Sequence, residues 1–172
     1  MSSVTSCSSS QQPILPSMIV FDLDDCLWTP EMHELYSKPT RKVYGVLNPW
    51  EQDQSRHIQG VVGLSNNLGE TVTLYDGARR ALFELVTNPK YQQVKLAVAS
   101  TSLEPSFSHA CLEGIDVTTT KTIRDIIHYH QIGRNGKLSS RKTTHFRELH
   151  RESGIAYDEM LFFDGMYTRH RV

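Results

Sequence analysis

The tightest constraint in this chain is a short apolar run that ends on acid: Met18-Ile19-Val20-Phe21 is followed at once by Asp22-Leu23-Asp24-Asp25. Short apolar runs bounded by polar residues read as strands buried in a parallel sheet, where both faces need apolar side chains. The pattern recurs. Val94 to Ala99 is apolar apart from Lys95 and ends in Ser100-Thr101-Ser102, and Met160-Leu161-Phe162-Phe163 ends in Asp164. Between these runs the spacing becomes helical. Ala78, Ala81-Leu82 and Leu85-Val86 share a face and Asn88-Pro89 stops the segment. Thr144 to Ser153 is a second helix, with Phe146, Leu149 and His150 on one side and Gly154 at its end. Pro105 to Leu112 is compatible with a third, Gly133 to Ser140 is a polar loop, and Thr122 to Tyr129 stays open between helix and strand. Strands that alternate with helices predict an α/β fold, a three-layer sandwich around a mostly parallel sheet. Such sheets bind ligands beyond the carboxyl ends of their strands, which is where the polar residues stand.

The length, 172 residues, suits one domain with a sizeable core. The reading is a disordered Ser-rich leader over 1–17 and a single domain over 18–172. Within it, about 29–74 is an insert: Pro30, Pro39, Pro49, Gly45, Gly60, Gly63 and Gly69 punctuate it, and it reads as a small flap outside the core, with a short strand near Val72–Tyr75. A net charge of -1 gives no field that would steer the chain to nucleic acid, and no apolar run is long enough to span a bilayer. Neither nucleic acid nor membrane is therefore expected as a partner. Cys7, Cys26 and Cys111 have no CxxC spacing, which argues against a disulfide framework or a zinc site. With no secretory signal pattern, the expected compartment is reducing: cytoplasmic, with the nucleus as second choice.

Asp22 and Asp24 lie two apart at a strand end, where side chains of one face can converge on a point. Crowded carboxylates repel, and both ionise only beside a cation. Magnesium, a hard ion that keeps open positions for phosphate oxygens, answers that need. One carboxylate is then free to attack phosphorus, and the other to move a proton. A lone Asp-x-Asp is more often a solvated turn; the preceding strand and the following Leu27-Trp28 favour chemistry.

The string VFDLDDCLW resembles the first motif of the haloacid dehalogenase superfamily, and FDLDDCLW is similar to the FDLDYTLW of the magnesium-dependent, acid phosphatase-like phosphatases. The resemblance implies that Asp22 is the nucleophile and Asp24 the acid/base, with Cys26 where Thr is usual. KLAVAST is similar to the family strand whose final Ser donates to a phosphoryl oxygen, a role that falls on Ser100; Thr101, where the family usually has Arg, is the neighbouring substrate contact. The segment from Arg141 to His150 is similar to Lys-x-Thr-His-Phe, so the catalytic, phosphate-contacting lysine is Lys142. Leu161-Phe162-Phe163-Asp164 is similar to the strand that delivers the last metal ligand, so the implied Mg2+ ligands are Asp22, Asp24 and Asp164. The family's second Asp in that motif is Gly165 here. The resemblance covers Met18 to Asp164; Met166 to Val172 does not share it, and a sheet lacking its C-terminal part is the expectation.

The implied activity is magnesium-dependent hydrolysis of a phosphomonoester through an aspartyl-phosphate. The implied partner is a phosphorylated small molecule or phosphoprotein, phosphotyrosine-like or a sugar phosphate. The rival expectations are a catalytically impaired member of the same ancestry and a phosphotransferase. His128 with His130 and His145 with His150 complete no metal set, and Gly133-Arg134-Asn135-Gly136-Lys137 reads as a turn. Arg169 to Arg171 is too short a basic stretch to argue for nucleic acid.

Overall fold

The computed structural model describes residues 15–165. The expected leader falls mostly outside this range, as do Cys7 and the stretch from Met166 to Val172. The part of the leader that is described is held to the body: Ser17 N–H donates to Glu159 O at 3.0 Å, and Lys95 N–H donates to Ser17 O at 2.9 Å.

In chain order the elements are β1 (Met18–Phe21), β2 (Trp28–Thr29), β3 (Arg41–Val46), β4 (Gln59–Ser65), β5 (Thr71–Leu74) and α1 (Asp76–Thr87). They continue with β6 (Lys95–Ser100), α2 (Pro105–Gly114), β7 (Asp116–Thr118), β8 (Lys121–Thr122), α3 (Ile123–Ile126), β9 (Tyr129–Ile132), α4 (Lys142–Ser153) and β10 (Met160–Phe163). The main sheet is parallel, in the order β10-β1-β6-β9. Its three expected strands are present. The fourth, β9, starts at the last residue of the stretch left open above and runs beyond it: Thr122 caps the short helix α3 and the chain then turns into the strand. The composition of β9, Tyr-His-Gln-Ile, carries little strand signal, and the strand is ordered by pairing with β6 and by packing of Tyr129 and Ile132 into the two cores.

Every residue of β1 is buried, as a continuous apolar run on a central strand requires. Its alternate side chains serve two cores. Ile19 and Phe21 pack with Leu82, Leu112 and Ile115 on the α1 and α2 side, whereas Met18 and Val20 pack with Leu149 of α4 on the other. Helix α4 begins two residues earlier than its apolar pattern suggests, and Gly154 ends it in the left-handed conformation at φ 71°. Within α4 the buried stripe is His145, Glu148 and Leu149; His150 is exposed and bonded to Ile155 O, which corrects the expected face.

The insert is more than a flap. Strands β2, β5, β4 and β3 form an antiparallel sheet, and Trp28, Met32, Leu35, Val61, Leu64, Val72 and Leu74 join the same core as Ile19 and Phe21. The glycines that read as loop punctuation have a structural use there. A Cβ on Gly63 would stand 2.5 Å from Val72 O, so only glycine lets β4 approach β5 at this point. Among the described residues no helix is long and apolar enough to cross a membrane.

Candidate active site

Beyond the carboxyl ends of β1, β6 and β10 lies a polar cleft of about 370 Å³ lined by Asp22, Asp24, Asp25, Ser100, Thr101 and Asp164, with Glu31, His33 and Arg134 among its other walls. A larger cavity, about 520 Å³, lies between β1, β10 and α1. It is apolar and holds no cluster of acids, so it is not where this chemistry would occur.

Asp22 follows directly on the buried strand. Its backbone N–H donates to Phe163 O at 2.9 Å, which ties the tip of β1 to the tip of β10. Its Oδ1 accepts from the Leu23 N–H at 2.8 Å and lies 2.6 Å from Lys142 Nζ. The same ammonium donates to Ala99 O at 2.6 Å and sits 5.4 Å above the centre of the Phe162 ring. Lys142 is the first residue of α4, so this helix aims the cation at the carboxylate. Burial pushes the Asp22 carboxyl above its ordinary range, the Lys142 charge pulls it back, and the negative charge of Asp164 adds to the rise.

After Asp22 the chain coils tightly, with Leu27 N–H and Cys26 N–H both donating to Leu23 O. Asp25 takes a left-handed φ of 57°, a conformation that Asp tolerates better than most residues. The coil turns Asp24 into the cleft, where its Oδ1 accepts from Trp28 Nε1–H at 2.8 Å. Burial raises the Asp24 carboxyl; the Trp28 and Met32 donors lower it, and the charge on Asp22 raises it. Burial thus holds both carboxyls above their ordinary range, and of the two Asp22 has the cation beside it, the kind of difference in surroundings that divides acid and base roles between two acids.

Ser100 ends β6 almost fully buried, and Thr101 follows half-buried. Cys26 fills the place of the expected Thr, and its thiol donates to Phe163 O at 3.5 Å. Burial, together with the charges on Asp22 and Asp164, pushes that thiol up to about 11, so it stays protonated at neutral pH and is a poor nucleophile.

The structure thus brings Asp22, Asp24, Ser100, Thr101 and Asp164 to one cleft, with Lys142 at Asp22. Among the described residues it does not assemble three or more acidic, His or Cys side chains into one metal-binding group. The donor chemistry nonetheless fits magnesium, which uses one or two carboxylates and completes its shell with water and phosphate. The charges of Asp22 and Asp164 oppose each other across the cleft, a repulsion that a divalent cation would relieve. Gly165 leaves no room for a third. A Cβ there would lie 1.8 Å from Asp25 O and 2.9 Å from Cys26 N, so the backbone itself occupies the space a side chain would need.

Sequence reasoning read Arg134 as part of a turn and gave Glu31, His33 and Asp25 no place in the site. Asp25 was adjacent to the motif, and its contact with Tyr75, whose hydroxyl donates to Asp25 Oδ1 at 2.6 Å, comes from 50 residues away. Glu31 and His33 lie in the insert, 3.3 Å apart. None carries a local signal.

The family described as Acid Phosphatase matches residues 14–171. The match thus starts before the motif-bearing stretch and continues past Asp164. A Schizosaccharomyces pombe protein described as a HAD-like hydrolase superfamily protein is 30% identical over 149 residues, which cover 87% of this chain and 75% of that protein. Among solved structures, the fold is similar to the N-terminal part of a Bacteroides fragilis protein containing a phosphatase domain and complexed with magnesium. That likeness has a TM-score of 0.50 at 19% identity, covers 87% of this chain, and spans 31% of that chain.

Proposed function

The chain belongs to the acid phosphatase family of HAD-like hydrolases and is a phosphatase, and from that premise we propose that it hydrolyses phosphomonoesters by way of a phosphorylated Asp22. The observation that carries the proposal is the Lys142 Nζ to Asp22 Oδ1 pair at 2.6 Å, in a cleft shared with Ser100 and Asp24. Lys142 opposes the effect of burial on the Asp22 carboxyl, favouring its charged form, and fixes the carboxylate at the cleft. An Asp22 oxygen attacks phosphorus and the bond to the ester oxygen breaks. Asp24, protonated in this step, gives its proton to the departing oxygen. In the second half-reaction Asp24 takes a proton from water, the water oxygen attacks the same phosphorus, and inorganic phosphate leaves with Asp22 restored. Ser100 and Lys142 donate to the phosphoryl oxygens as charge grows on them. Magnesium, held by Asp22 and Asp164, would neutralise phosphoryl charge. Trp28 fixes Asp24 through its indole N–H, which makes Trp28 a positioning residue.

The substrates we propose are small phosphorylated molecules such as sugar phosphates, or phosphotyrosine-like side chains; the cleft is polar, and of a size for one such group. The test is hydrolysis of an aryl phosphate with magnesium and after chelation, for the natural protein and Asp22→Asn. The substitution should lower kcat by roughly 10⁴-fold or more, and chelation should abolish turnover reversibly. Turnover that persists in Asp22→Asn would remove Asp22 from the role of nucleophile.

A further inference from the structure

We propose that Arg134 recognises a second oxyanion on the substrate, a carboxylate or phosphate carried beyond the scissile phosphoryl group. This rests on the reading of the cleft as a phosphatase site and deepens it toward a substrate class: phosphate esters with a further negative group.

Three observations lead there. The first is charge. Asp22, Asp24, Asp25, Glu31 and Asp164 all line the cleft. Facing them are two basic side chains in its walls, Arg134 and His33, and His33 is already 3.3 Å from Glu31. Lys142 spends two of its three N–H donors on Asp22 and Ala99 O, and the third serves the scissile phosphoryl group in the reaction proposed above. Arg134 forms no ion pair among the described residues, even though it shares a wall with five carboxylates.

The second is fixation. Arg134 Nε donates to Thr101 O at 2.8 Å, a backbone carbonyl next to Ser100. The residue before it is pinned from both sides. Gly133 N–H donates to Ser100 O at 2.9 Å, and the buried His145 donates through Nε2 to Gly133 O at 3.0 Å. Gly133 has φ 102°, and a Cβ there would meet Pro105 at 2.9 Å, so the turn into Arg134 requires glycine. A guanidinium exposed to solvent would ordinarily sample many rotamers; this one is tied at one end to the strand tip that presents the phosphate-binding serine.

The third is what remains free. With Nε committed, the terminal nitrogens have no hydrogen-bond partner among the described residues. They form the paired donors that suit a carboxylate or phosphate, and pre-fixing them reduces the entropy lost on binding.

Matched ester pairs test this: glycerol phosphate against phosphoglycerate, and fructose monophosphate against fructose bisphosphate. The natural protein should favour the more anionic member of at least one pair, and which pair shows it separates carboxylate from phosphate. Arg134→Gln should collapse that preference about tenfold or more, mostly through KM, with Arg134→Lys in between. Equal losses on both members would make Arg134 a loop fastener and overturn the proposal, as would a natural protein without any preference. Calorimetric affinities of the same pairs are measured in parallel. If no ester is turned over, the phosphatase reading fails, and the affinity ratio still decides Arg134.

Discussion

Strands β1 and β10 run side by side in register, Phe21 beside Phe163 with their rings stacked 5.6 Å apart, yet their tips are built in opposite ways. β1 is central and buried on both faces, and the Asp22 side chain that follows it keeps 15% of its exposure and is gripped by Lys142 and a backbone N–H. β10 is an edge strand among the described residues, with Leu161 and Phe163 nearly half exposed, and its Asp164 faces solvent. Burying a carboxylate raises its proton affinity and requires a partner cation, whereas an exposed one keeps its hydration. The central tip therefore suits groups whose position and protonation must be set, and the edge tip suits a ligand for a hydrated ion. At Gly165 the edge strand goes further: its backbone closes on Asp25 and Cys26, so the two tips are packed against each other.

The largest test of this contrast is Lys142→Met, which keeps the length of the side chain and deletes its charge. It should lower kcat about 10²- to 10³-fold. Because Lys142 opposes the upward shift of Asp22, its loss should move the acid limb of the pH–rate profile to higher pH. A limb that stays in place would mean that Lys142 does not set the charge of Asp22.

Next in size is Gly165→Ala, which asks whether the tips truly touch. The added methyl meets backbone rather than a flexible side chain. Overpacking of this kind costs about 1–3 kcal/mol, or roughly 2–10 °C in Tm for a chain of this length. An unchanged melting curve would show that the edge tip stands away from the central one.

The smallest effect is a comparison of Asp24→Asn with Asp164→Asn in thermal melts. The folded-state pKa of Asp24 is raised by burial, so above it the charged group destabilises the fold, and that penalty is relieved as pH falls through the folded value. Asn keeps the acceptor for Trp28 and carries no charge. Asp24→Asn should therefore raise Tm by about 2–4 °C at neutral pH, at the expense of activity. The gain should fade as the solution is acidified below the raised pKa. Asp164→Asn, at an exposed site, should stay within about 2 °C at neutral pH. Equal shifts for both would erase the distinction between buried and edge tips.

The parts of this protein legible in its residues were those whose signal is local. Apolar runs marked β1, β6 and β10 and a 3.6-residue period marked α1 and α4; Asp22 and Asp24 stood out just beyond the first of those runs, and Ser100, Lys142 and Asp164 through short motifs that resemble a known family. What escaped depends on partners far along the chain. β9 is ordered by β6, the insert's alternating Val72 and Leu74 gain a core only by meeting Phe21 and Trp28, and Gly63 looked like punctuation until β5 came against it. Arg134, in a loop that reads as an ordinary turn, reaches the cleft because Ser100, Thr101 and His145 hold it there. Periodicity and strand ends are written in neighbouring residues, so short stretches of chain specify them. The direction of a loop side chain, or the closeness of two strand tips, is specified by contacts that exist once the whole sheet has formed.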